Sequence, residues 1–197
     1  MTRLWRTLVL VFAVLTIFGC GGLNYSQCGP QAENFHPKSL VILPVVAGDF
    51  ELARKDSSDV LLKVVSDTGW FTEVTQPDFA SLAPGASEAS ALSNDLANYV
   101  LKLTTAGYSD PQLCGRLGTA LHGEALLLCR ITAWGYTRQD GDKLGKVGMW
   151  MKLLDPKSGS VVWTASHEVA TSYWLFKPDL KDVCLKCARM MVKEMPH

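Results

Sequence analysis

The chain carries no surplus of charge of either sign. Its 197 residues hold 19 Lys and Arg against 19 Asp and Glu, for a formal net charge of zero. With no basic run or stripe, it offers no electrostatic footprint for nucleic acid. Histidine is scarce. Of the four histidines, His36, His122, His167 and His197, none lies three or four residues from another histidine or from a cysteine. A local metal site of closely spaced ligands is therefore not expected. No Gly-x-Ser-x-Gly elbow occurs, nor a glycine loop suited to cradling phosphate. Gly145 and Gly148 fall inside a strand pattern, where a bulge or close packing accounts for them. The carboxylates Asp179 and Asp182 suit the first turn of a helix better than acid–base work. His167 and Glu168 are expected to face solvent at a strand end. Neither catalytic residues nor a cofactor are expected.

What the sequence does have is concentrated at its start. Arg3 and Arg6 precede an apolar stretch from Thr7 to Phe18, and Gly19 places a small residue before Cys20. This is the layout of an export signal. Ile17, Gly19 and Cys20 resemble the lipobox of bacterial lipoproteins. That resemblance implies cleavage before Cys20, acylation of its thiol and new amino terminus, and attachment to a membrane. Gly21, standing where an aspartate would retain a lipoprotein in the inner membrane, implies the periplasmic face of the outer membrane. The rivals are ordinary secretion or an uncleaved anchor. The apolar run to Leu23 is about 17 residues, at the short limit for a spanning helix, and no basic cluster follows it.

Removing residues 1–19 as a signal peptide leaves 178 residues with 17 basic against 19 acidic side chains, a charge of −2. Residues 20–37, with Gly29, Pro30 and Pro37, read as a tether. Residues 38–197 suit one domain, and 48% hydrophobic residues can fill its core.

Ser39 to Val45 is a short apolar run of the kind that forms a buried strand. Asp49 is the expected cap of a helix carrying Val60, Leu61, Val64 and Val65 on one face and stopping at Gly69. Trp70 to Thr75 reads as a second strand. A Ser/Ala-rich loop from Ser81 to Ser93 precedes a helix marked by Leu96, Val100 and Leu103, ending at Gly107. Asp110 and Pro111 form an N-cap and N1 pair, opening a helix with Leu113, Leu117 and Leu121 that ends at Gly123. Ala125 to Tyr136 reads as a central strand, and Asp140-Gly141 as a hairpin turn. Val147, Met149, Met151 and Leu153 then alternate with Trp150 and Lys152. After Asp155–Gly159, Val161, Trp163 and Ala165 share a face. A last helix from about Asp179 carries Leu180, Val183, Cys184, Cys187, Met191 and Met195 on one stripe. The expected architecture is an α+β (or α/β) sandwich with a mixed sheet, in the order β-α-β-α-α-β-β-β-α.

Three stretches resemble one group of envelope lipoproteins. They are Val41-Ile42-Leu43-Pro44 followed by a helix and Gly69-Trp70-Phe71-Thr72-Glu73-Val74; Leu117 to Leu127; and Leu153 to Trp163 with its Asp155-Pro156-Lys157-Ser158-Gly159 turn. The group includes the lipoprotein activators of penicillin-binding proteins and the curli secretion-channel lipoprotein. The resemblance spans roughly residues 38–195 and implies the fold and an envelope setting more than a particular function.

Cys184-Leu185-Lys186-Cys187 is the obvious chemical candidate, but redox pairs gain their low pKa at a helix N-terminus. This pair falls inside a helix on its apolar stripe. Buried thiols, a disulfide to another part of the fold, and redox or metal work all remain open. With Cys20 acylated, Cys28, Cys114, Cys129, Cys184 and Cys187 are five, so one at least stays unpaired within the molecule. Tyr173-Trp174-Leu175-Phe176 is the candidate partner-binding segment. Successive strand side chains point to opposite faces, so four large residues cannot all enter one core. Alternatively, the run folds over the sheet edge and closes the core.

The expected function is that of a non-enzymatic, lipid-anchored periplasmic accessory protein binding an envelope assembly or secretion component. One alternative is a subunit of an outer-membrane secretion complex, although Ser81–Ser93 is short and polar for a membrane-inserting hairpin. The other is a thiol–disulfide protein using Cys184 and Cys187.

Overall fold

The computed structural model describes residues 22–77 and 87–197. Cys20 and the signal read over 1–19 lie outside them, as does the first part of the Ser/Ala-rich segment.

Among the described residues, six strands form one mixed sheet. They are β1 (Tyr25–Cys28), β2 (Ser39–Ile42), β3 (Glu73–Thr75), β4 (Ala125–Gln139), β5 (Asp142–Asp155) and β6 (Ser160–Tyr173), in spatial order β1-β6-β5-β4-β2-β3. β2 runs parallel to β3 and β4, and the other neighbours are antiparallel. Among the described residues, four α-helices cover it: α1 (Ala53–Ser66), α2 (Ser87–Leu101), α3 (Pro111–Ala120) and α4 (Leu180–Val192). The expected α+β sandwich is present, and the order matches apart from the added β1.

Alternation along the strands divides the core into two layers. Val147, Met149, Met151 and Leu153 of β5 join Cys129 and Ile131 of β4 beneath α1 and α4. On the opposite face, Val41, Leu126 and Leu128 meet Leu96 and Tyr99 of α2 and Leu113 and Leu117 of α3. β2 and the start of β4 are therefore buried on both sides, as their continuous apolar runs require. Asp110 caps α3 by accepting from the amides of Gln112 and Leu113 at 3.1 and 3.2 Å. The β4–β5 turn places Asp140 and Gly141 at φ of 53° and 92°, as a type I′ hairpin needs.

Several expectations are corrected. Tyr25–Cys28, read as part of a tether, is an edge strand whose residues oppose Ser166, Ala165, Thr164 and Trp163 of β6. All four of its side chains are exposed, so it gives no hydrophobic period, and backbone pairing holds it. Asp49 does not cap α1, which starts at Ala53 behind Leu52 with no side-chain cap. Residues 87–93 of the segment read as a loop belong to α2. His122 takes the left-handed turn after α3 at φ 55°. Gly123 serves a different need, since a Cβ there would stand 2.6 Å from Val41 Cγ2. Val161 leaves the face of Trp163 and Ala165 because the β5–β6 register shifts between Leu153 and Leu154. The expected close packing at Gly145 and Gly148 is found: Cβ atoms there would lie 2.6 Å from Pro178 Cγ and from Thr132 Oγ1.

α4 buries Val183, Cys184, Cys187, Ala188 and Met191, while Leu180 at its start is half-buried. Met191→Ala is therefore expected to cost about 2–5 kcal/mol of unfolding free energy, the range for core truncations. Leu180→Ala should cost distinctly less. Urea denaturation of the two variants checks both values, and equal losses would contradict this packing.

Candidate functional site

The CxxC pair lies wholly inside α4. Its N-cap is Asp179, which accepts from the Lys181 amide at 2.8 Å. Cys184 and Cys187 therefore stand beyond the first turn, where the free amides that stabilise a thiolate are already used. Both are fully buried, as is Cys129 of β4, which lies against them. Burial pushes the Cys184 and Cys187 thiols up to about 12, with Cys187 adding to the first and Glu168 to the second. Cys129 is driven well above 9.0 by burial and then by the other two thiols. Cys114, in the second core layer, is raised chiefly by burial. All five described cysteines are free, and Cys28 on β1 is the exposed one. The geometry favours the buried-thiol alternative and gives this CxxC none of the features of a reactive pair.

His167 is also relocated. It was expected at the surface but is 9% exposed, on the α4 side of the sheet. Its Nδ1 lies 2.7 Å from Asn24 Oδ1 and 3.3 Å from the Asn24 amide, and Asn24 Oδ1 accepts from the Glu168 amide at 3.0 Å. Its carbonyl accepts from Cys187 Sγ at 3.6 Å. Burial lowers the His167 pKa, with Glu168 opposing. Asn24 thus fastens the chain just before β1 to the sheet, and Leu23 packs on the core beside it. Nothing local in the sequence marks this contact, since its partners are 143 residues apart.

The aromatic run divides. Tyr173 ends β6 half-buried, edge-on to Tyr136 with ring centroids 5.9 Å apart. Trp174, Leu175 and Phe176 are 89%, 72% and 82% exposed. They follow the end of β6, beside the β4–β5 hairpin, because Lys143 at the start of β5 opposes Tyr173. A shallow recess of about 480 Å³ next to them includes Arg138, Lys143, Leu175 and Lys177. Among the described residues, no thiol lines this recess.

A larger open cleft, about 1050 Å³, runs between α2, α3 and the Asp155–Gly159 turn. Its charged groups include Arg116 and Asp95, paired at 2.7 Å. On the sheet face left open beside α2, Lys152 Nζ lies 4.9 Å from the centre of the Trp150 ring. The alternation of β5 shows that these two residues face away from the methionines, but not that α2 and α3 stop short of covering them. Among the described residues, no three His, Cys, Asp or Glu side chains gather to hold a metal ion. No described helix is long and apolar enough to cross a membrane.

No family model and no curated protein matches the chain by sequence. Solved structures do match it. The PelC dodecamer from Paraburkholderia phytofirmans superposes with a TM-score of 0.53 at 15% identity, covering 87% of this chain and 95% of that one. Lipoprotein GNA1162 from Neisseria meningitidis gives 0.46 at 16%, covering 76% and 94%. The LpoB C-terminal domain from Salmonella enterica gives 0.39 at 12%, covering 71% and 87%. At these identities the likeness is one of fold. The fold that the sequence resemblance implies is shared with the PelC chain.

The buried thiols give a pH prediction. A thiol whose pKa is raised by folding keeps its proton while the unfolded chain has lost its own. The stability it contributes is complete below about pH 9 and lost as pH rises towards about 12. Urea midpoints measured in rising alkali should fall, with a shallower slope in Cys184→Ala/Cys187→Ala. In the native state at neutral pH, Cys28 alone of the five described thiols should react quickly with a thiol reagent. Fast labelling of Cys184 would overturn the assignment.

Proposed function

We propose that this protein is a non-enzymatic accessory protein, lipid-anchored through Cys20 at the periplasmic face of the outer membrane. It acts by contact with a component of envelope assembly or secretion. The observation that carries the reading is the fastening of Asn24 to His167 and the Glu168 amide. It makes the segment directly behind Cys20 part of the sheet, so an acylated Cys20 holds the folded body close to the bilayer. The export-signal layout, the cysteine after Gly19, and reactive groups locked in the core support it. Each acyl chain contributes about 0.8 kcal/mol per buried methylene, so two or three chains suffice for stable attachment.

A second reading, a subunit of an outer-membrane secretion complex, is favoured by one observation. The PelC chain of like fold was solved as a dodecamer. Light scattering on the detergent-extracted protein separates the two, a large closed assembly favouring the subunit and a monomer the accessory protein. Affinity capture of the lipidated protein from its own envelope then identifies what it contacts.

The intact mass of membrane-extracted protein should show loss of residues 1–19 and added acyl chains. Cys20→Ser should leave the chain unacylated and released from the membrane. A mature protein that retains Met1 and carries no acyl chain would remove the anchor from this proposal.

A further inference from the structure

We infer that Trp174, Leu175 and Phe176 form a membrane-contacting tip that dips into the outer-membrane bilayer beside the lipid anchor. This rests on the reading of Cys20 as the acylated residue. Cys20 precedes Asn24 by four residues, a span of at most about 14 Å for extended chain. Asn24 is held at the level of His167 and Glu168. Because β1 is antiparallel to β6, the chain before Asn24 heads for the end of the sheet where β6 finishes at Tyr173. Trp174 lies six residues past Glu168, about 20 Å further along at the rise of a strand. A fully extended leash would leave Cys20 roughly 6 Å short of the tip's level, and any slack increases that difference. Anchoring Cys20 at the bilayer surface therefore carries the tip to, or just beyond, that surface. Interfacial apolar groups sit about 5–10 Å into the headgroup and acyl boundary.

The chemistry of the tip fits that depth. Tryptophan concentrates at membrane interfaces, where its apolar ring and N–H meet both environments. Trp174, Leu175 and Phe176 are consecutive and almost wholly exposed. Lys177 follows, its Nζ 4.7 Å from the centre of the Tyr136 ring, and Arg138 and Lys143 lie around the same recess. Asp140 in the adjoining turn and Asp142 at the start of β5 offset two of those three cations, so aromatic insertion and not charge provides most of the attachment. A protein partner on the same residues would have to occupy the narrow space between tip and bilayer that the short leash leaves.

The test uses the full-length, processed protein in vesicles of phosphatidylethanolamine and phosphatidylglycerol, with and without phospholipid brominated on its acyl chains. Wild-type tryptophan emission should be quenched by the brominated lipid, and the quenched part should be lost in Trp174→Phe. The thermal midpoint of that variant should be unchanged, because the residue is 89% exposed. The same samples are weighed by intact mass. An acylated Cys20 with Trp174 emission as in water overturns the inference and leaves the anchor standing. Trp174 shielded only in vesicles from native envelope, without bromine quenching, means that a protein covers the tip, and also overturns it. An unacylated Cys20 removes the anchor and the inference together.

Discussion

The ladder joining β4, β5 and β6 is the constraint on which this molecule depends. β4 and β5 pair from Leu126↔Leu154 to the hairpin turn, and β5 and β6 from there back to Asp155↔Ser160. So long an antiparallel unit determines which side chains enter which core layer, because a one-residue slip would exchange the faces. Two irregularities adjust it. The shift between Ile131 and Ala133 accommodates Thr132 beside Gly148, where no Cβ fits. The shift at Leu153 sends Val161 to the opposite face while Trp163 stays in the larger core layer. The parallel strands β2 and β3 and both helix layers are placed against this frame.

Where the physics is local, the sequence is readable. Asp110-Pro111 starts a helix because a carboxylate can take two free amides and proline has no amide to lose. Asp140-Gly141 turns a hairpin because both positions need positive φ. The alternation from Val147 to Leu153 reports a strand with one face in the core. Where the physics is long-range, the signal disappears. Tyr25–Cys28 has no buried side chain, and its pairing depends on β6, some 140 residues later. His167 is read as exposed because its partner Asn24 is remote in the chain. Gly123 resembles a helix stop, whereas the requirement comes from Val41 on a neighbouring strand. The candidate site divides in the same way: the apolar excess of Tyr173 to Phe176 is legible, but its position relative to Cys20 needs the register of β1.

The fate of the cysteines follows from the same frame. In an oxidising compartment, free thiols form disulfides when a partner and an oxidant can reach them. Cys129, Cys184 and Cys187 lie between the sheet and α4, and Cys114 lies on the core face of α3, so all four are closed to solvent. Burial also keeps them protonated, and the thiolate is the reacting form. A CxxC within a helix and beneath a sheet is thus protected by position and by charge. Its cysteines act as small apolar core residues.

Edge strands are ordinarily open to further pairing, and β1 is short, polar and exposed, a form that limits such association. Its attachment nevertheless has a mechanical consequence. Asn24 is hydrogen-bonded to the His167 ring, its side-chain oxygen accepts from the Glu168 amide, and Leu23 packs on the core behind it. Load applied at Cys20 by a bilayer would pass into β6 through these contacts rather than into a slack linker. β6 carries that load to β5 over its whole length and to α4 through the Cys187–His167 contact. An acylated Cys20 so attached would set orientation as well as location. It would hold the end of the sheet that bears Trp174 towards the membrane and leave the opposite end, with the Asp155–Gly159 turn and the cleft between α2 and α3, facing away from it.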